Sequence, residues 1–125
     1  MLHEGSSKDE VFVEGYRGRV VQEICRRLLE RDPDIVEIVQ FGSSIYASDL
    51  SRDVDLLVFS RSPKDYDVYL EAVDEVNPPF NVDIVIARPG QDLREELIRG
   101  VLGAFKILYG DGRYVLSYAG KLGDP

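Results

Sequence analysis

Three short runs rich in β-branched residues, spaced by stretches long enough for a helix, set the range of folds open to this chain. They are "DIVEIVQF" at 34–41, "VDLLVFS" at 54–60 and "PFNVDIVIA" at 79–87. Each is a short, mostly apolar run, which reads as a strand. Gly42 ends the first run, and Pro89 with Gly90 stops the third. Strands alternating with helices point to a layered α/β domain and leave open whether the strands run parallel.

The intervening stretches carry helical signals. "SKDE" at 7–10 fits a capping box. "YRGRVVQEICRRLLER" at 16–31 places Val20, Val21, Ile24, Cys25 and Leu28 on one face, with Gly15 and Gly18 weakening its first part. Pro33 terminates that helix, and Asp32 and Asp34 suit the turn. A short helix is expected from Ser44 to Ala47, and another over 62–76 with Pro63 near its first position. "DLREELIRGVLGAFKILYG" at 92–110 reads as a last helix that frays at Gly100 and Gly103. Beyond it, Asp111-Gly112 is a turn signal between apolar stretches, so 111–125 is expected to form a hairpin or a loosely docked tail. With 125 residues and no internal repeat or linker, the chain is expected to be one domain with its core over about 16–110.

Charge narrows the function. The net charge is −8, with 23 acidic residues against 15 Lys and Arg. Gripping long nucleic acid through phosphate contacts wants the opposite sign, so no long nucleic acid is expected as partner. A small anionic substrate remains compatible, because a bound cation inverts the local field. One cysteine excludes an internal disulfide and a Cys-rich zinc site; Cys25 is expected to be a core thiol. No apolar run reaches the length of a membrane helix, and the first ten residues lack a signal-peptide pattern, so a cytoplasmic protein is expected.

Candidate chemistry concentrates in "QFGSSIYASDLSRDVDLLVFS" at 40–60. Residues two apart on a strand point to one face, so Asp53 and Asp55 are expected side by side, with Val54, Leu56 and Val58 opposite. Two such carboxylates repel unless a cation sits between them, and hard divalent ions such as magnesium favour oxygen ligands. Asp83, flanked by Val82 and Ile84, is a third acid in an apolar strand, and it joins the pair if the two strands are neighbours. Gly42 allows close approach of a ligand to backbone. A helix opening behind it would aim free N–H groups at an anion, and the Ser43 hydroxyl would add a hydrogen bond to phosphate. A lone Asp-x-Asp is far more often a surface turn, and a lone Gly-Ser a helix cap. Their conjunction with a third strand acid is what carries weight.

That conjunction resembles the minimal nucleotidyltransferases of the DNA polymerase β-like superfamily, whose pattern is Gly-Ser, a spacer of about ten residues, Asp-x-Asp and a later strand carboxylate. The matching positions are Gly42, Ser43, Asp53, Asp55 and Asp83, and the resemblance covers roughly 16–110. "LIRGVLGAFKILYG" at 97–110 also looks like the family's last helix. Locally the chain departs from the pattern: nine residues separate Ser43 from Asp53, Tyr46 and Ala47 stand where a second glycine is common, and Arg52 directly precedes Asp53. The resemblance implies an α+β fold, a small mixed sheet with helices packed mainly on one face. It further implies Mg2+ or Mn2+ held by Asp53, Asp55 and Asp83, and β- and γ-phosphates held by Gly42 and Ser43. The expected reaction moves a nucleoside monophosphate, AMP first, from an NTP such as ATP to a hydroxyl. The acceptor stays open among a protein hydroxyl, an RNA end and a small molecule, and a HEPN-like protein or a second copy is the expected partner. The alternative is an antitoxin-type interaction module that binds a HEPN-like partner with little or no catalysis. The tyrosine-bearing tail, with Tyr109, Tyr114, Leu116 and Tyr118, is either its contact surface or a cover for its own core.

Overall fold

The computed structural model describes residues 7–45 and 53–122, with side chains described for 15–45 and 53–121. The chain runs α1 (Ser7–Arg31), β1 (Ile35–Phe41), a 3-10 turn (Ser43–Ile45), β2 (Val54–Ser60), α2 (Tyr66–Val76), β3 (Val82–Ala87), α3 (Glu95–Gly103), β4 (Phe105–Tyr109), α4 (Arg113–Leu116) and α5 (Ala119–Leu122). The capping-box segment and the firmer helix behind it are thus one helix, α1. The four strands form one sheet in the order β3-β2-β1-β4. β2 and β3 are parallel, joined through α2, while β1 is antiparallel to both β2 and β4. This is the mixed sheet of the α+β class that the resemblance implied.

Side-chain alternation divides the core. Ile38, Val54, Leu56, Val58 and Ile84 point to the face covered by α1 and α2, against Ile24, Leu28, Tyr69 and Ala72. Val39, Leu57, Phe59 and Ala87 point to the other face, against Ile98 and Val101 of α3, Val115 of α4, and Tyr118. β2 is almost wholly buried because both its neighbours and both its faces are occupied. The two long helices share one face; the other is closed by three short ones. Across the first face, Arg27 pairs with Glu75 at 3.1 Å and Arg31 with Glu71 at 3.0 Å. These pairs lie at the surface and contribute little each. The buried Asp32 carboxylate accepts from the Tyr69 hydroxyl at 2.6 Å and from the Asp34 N–H at 3.0 Å, fixing the α1–β1 turn.

One expectation is corrected, and one of the two forms left open for the tail is excluded. The last helix does not run to Gly110: α3 stops at Gly103, Ala104 is extended, and 105–109 is a strand, β4. Gly100 and Gly103 weaken helix, and "FKILY" finds a better use on the edge of β1 left open by β2. A short apolar run cannot be assigned to helix or strand by periodicity alone, and here tertiary pairing decides. The tail is not a hairpin. Gly110, at φ +90, lies so close to β1 that a Cβ there would stand 2.7 Å from the Val36 carbonyl oxygen. The chain then turns into α4, whose first N–H groups reach the fully buried Glu37 carboxylate, Tyr114 N at 3.2 Å and Val115 N at 2.8 Å.

Candidate active site

β2 and β3 are in parallel register with Asp55 directly opposite Asp83, so the neighbourhood that the third acid required exists. Both acids precede residues that pack toward the α3–α5 face, Leu57 and Phe59 on β2, Val85 and Ala87 on β3. They stand at the end of the sheet where these strands begin. Asp53 lies one residue ahead of β2 and is exposed, as is Asp83, whereas Asp55 is half-buried. Burial pushes the Asp55 carboxyl above the usual carboxylate range. The charges of Asp83 and Asp53 and a hydrogen bond with Asp83 push it the same way.

The Gly-Ser turn arrives at the same place. Phe41, the last residue of β1, pairs with Asp55. Gly42 follows at φ +85, in the left-handed region, and a Cβ there would stand 2.8 Å from Asp55 Oδ2. Only a glycine lets main chain lie that close to the carboxylate without displacing it. Its N–H donates to the Ala104 carbonyl at 3.1 Å, tying the turn to the residue before β4. Ser43 is exposed while Ser44 is buried. The helix expected over Ser44–Ala47 is a single 3-10 turn, Ser43–Ile45; Tyr46 and Ala47, together with Ser51 and Arg52, lie outside the described residues. A turn of three residues has only a small dipole, so any anion affinity there rests on local N–H and hydroxyl groups.

The structure therefore brings together Gly42, Ser43, Asp55 and Asp83. Asp53 is beside them in sequence and in charge, but its Oδ1 accepts from Asn81 Nδ2 at 3.4 Å. Among the described residues, no three His, Cys, Asp or Glu side chains converge as a ready ion-binding group. The donor chemistry still suits a hard cation: hard oxygen ligands, two of them face to face, with ionisation of the inner one resisted by its neighbours. The Asp53–Asn81 bond is longer than an ordinary hydrogen bond and exposed, so little opposes turning Asp53 inward.

Sequence reasoning missed three residues around this site. Asn81 holds Asp53 and accepts the Val54 N–H on its carbonyl at 2.9 Å. Gln40 donates from Nε2 to Ser44 Oγ at 2.9 Å, and Arg17 donates from Nη2 to the Ser44 carbonyl at 2.6 Å. Gln40 left a signal, a polar amide inside an apolar strand; Arg17 left none, since its target is 27 residues away.

Searches of family models and of curated proteins give no match. Solved structures do match. A chain from the complex of tri-AMPylated Shewanella oneidensis HEPN toxin with MNT antitoxin is 19% identical, with TM-score 0.57, covering 81% of this chain and 83% of that one. A chain from a toxin–antitoxin structure with AMP-PNP is 22% identical, with TM-score 0.61 and coverage of 79% and 80%. A candidate nucleotidyltransferase from Sulfolobus solfataricus is 18% identical, with TM-score 0.54 and coverage of 91% and 96%. At these identities the likeness is one of fold, and it is the fold that the Gly-Ser and Asp-x-Asp pattern implied.

Proposed function

We propose that this chain is a divalent-metal-dependent nucleotidyltransferase that moves a nucleoside monophosphate, AMP in the first instance, from an NTP to a hydroxyl on a HEPN-like protein partner. The observation that supports this most is the close approach of the Gly42 main chain to Asp55, where a Cβ on the glycine would stand 2.8 Å from Oδ2, on a strand whose Asp55 faces Asp83. A glycine-lined turn and paired acids at one sheet end are the parts phosphoryl transfer needs, positioning and charge neutralisation. The neighbours' own partners favour the protein acceptor: one is a complex with an AMPylated HEPN toxin, another contains AMP-PNP.

In this reading Asp53, Asp55 and Asp83 hold magnesium or manganese, which supplies charge neutralisation along the triphosphate and acidifies the acceptor hydroxyl. The Gly42 main chain and the Ser43 hydroxyl bind the β- and γ-phosphates. Asp83, at the exposed edge strand, takes the proton from the acceptor. The acceptor oxygen bonds to the α-phosphorus, the bond from that phosphorus to its bridging oxygen breaks, and pyrophosphate leaves. The second reading, an interaction module with little catalysis, is favoured by one observation: Asp53 engages Asn81 instead of converging on the other acids.

Transfer of label from α-labelled ATP to a co-purifying partner, with and without magnesium, separates the two. Wild-type transfer that vanishes in Asp55→Asn supports the enzyme. Tight partner binding with no transfer, unchanged by Asp55→Asn, supports the module.

A further inference from the structure

The 3-10 turn that presents Ser43 is not stable by itself. Among the described residues, one main-chain bond closes it, Ile45 N to Gly42 O at 3.1 Å. A single turn closed by one bond is unfavourable in water. Between α1 and the turn lies an open cavity of about 190 Å³, lined by Arg17, Gly18, Val21, Gln40, Ser44 and Ile45, so packing against α1 is incomplete there.

What holds it is polar. Gln40, on the α1 side of β1, fixes the buried Ser44 hydroxyl, and Arg17 of α1 fixes the Ser44 carbonyl. Arg17 is itself nine-tenths buried. A guanidinium bond to a carbonyl is charge-assisted and stronger than a neutral one. Orienting the Ser44 carbonyl also orients the Ile45 N–H, since the trans peptide sets them opposite. With Ser44 drawn inward by two donors, Ser43 is left exposed, next in the chain to the Gly42 that abuts Asp55. The guanidinium further puts a fixed positive charge behind the turn.

We propose that Arg17 and Gln40 are positioning residues for the phosphate turn: neither touches substrate, and they hold Gly42 and Ser43 in the conformation that receives a triphosphate. The inference rests on the nucleotidyltransferase reading above.

The test uses the full chain and three readouts. These are thermal melting, amide exchange at Ile45 against that of β2, and binding of a non-hydrolysable ATP analogue with manganese by calorimetry. In Arg17→Ala, Ile45 exchange is expected to rise and analogue affinity to fall, each about ten-fold or more, a loss typical of a charged hydrogen bond. β2 exchange stays as in wild type. Arg17→Lys, which keeps the charge without the planar fork, falls between. Faster Ile45 exchange with wild-type affinity overturns the proposal, since the contact would then be only structural. Weakened affinity with unchanged Ile45 exchange also overturns it, since Arg17 would then act by charge alone. If Arg17→Ala does not fold, Arg17→Lys and Gln40→Leu carry the same two comparisons. A wild-type chain that binds no analogue overturns the reading of function, and this proposal with it, whatever the Ile45 exchange shows.

Discussion

Asp55 is a residue on which folding and chemistry make opposite demands. Burial and two neighbouring acids resist its ionisation in the fold. The unfolded chain meets none of that, so the folded-state pKa is the higher one. Its contribution to stability is complete below the ordinary aspartate pKa of about 3.9 and is lost as pH rises through the raised folded value. In metal-free buffer, Asp55→Asn is therefore expected to raise the melting temperature at neutral pH and to flatten the decline above acid pH. A melting temperature that falls, or an unchanged pH profile, would mean that the carboxylate is satisfied within the chain and needs no cation. Asp83 behaves differently in this scheme, because it is exposed. Asp83→Asn is expected to leave the melting transition in place and to remove transfer by at least about a hundred-fold, the usual scale for a lost proton acceptor. Retained transfer would show Asp83 to be a tolerated edge-strand acid. The chemical identity of these residues was legible in sequence, since acids inside apolar runs violate the pattern around them. Their supports were not: Asn81 and Arg17 act through contacts whose sequence separations no local pattern encodes.

At the scale of elements, β1, β2 and β3 were readable because each is a short, mostly apolar, β-branched run bounded by turn residues. β4 was not. Phe105, Ile107 and Leu108 are apolar enough for a helix face, and only the unfilled edge of β1 makes them a strand. The same event settles the tail. Once β4 ends beside β1, Gly110 and Gly112 turn the chain back over the sheet, with Tyr118 ring-stacked on Phe59 at 6.1 Å and Tyr114 at 6.0 Å from it. Val115 and Tyr118 are almost wholly buried, so those tail residues cover this chain's own core. Removing residues after Gly110 would expose these side chains' partners, at about 1.5–3 kcal/mol for each large apolar group. It would also remove the two N–H donors that hold the Glu37 carboxylate. The sum is comparable to the whole stability of a small domain. The truncated chain is expected to show no cooperative melting transition. A sharp transition near the wild-type temperature would make the tail an appendage instead.

For the whole molecule, the question is what a net charge of −8 will associate with. Among the described residues, five surface arginines are paired with acids: Arg26 with Glu23 and Glu30, Arg27 and Arg31 with Glu75 and Glu71, Arg99 with Glu95, Arg113 with Asp111. A phosphate backbone would have to break these pairs to gain contacts, so few counterions would be released. Long RNA or DNA is expected not to be retained at physiological salt, with little salt dependence in what binding there is. A basic protein partner fits the same field, with an association rate that falls as salt rises. With Tyr118 and Val115 committed to the core, the tail region offers Tyr109 and Leu116, at 42% and 52% exposure, as the large apolar groups left for a contact. Changing both to serine should leave the melting transition within about 1 kcal/mol of wild type, as is usual for exposed sites. It should also weaken capture of the partner about ten-fold or more, the scale of losing two apolar contacts at an interface. Surface plasmon resonance against the co-purifying protein, run at low and physiological salt, gives both numbers. Unchanged capture by the double variant would move the contact elsewhere on the surface. Steeply salt-dependent retention of RNA would mean that cations outside those pairs form a nucleic-acid face.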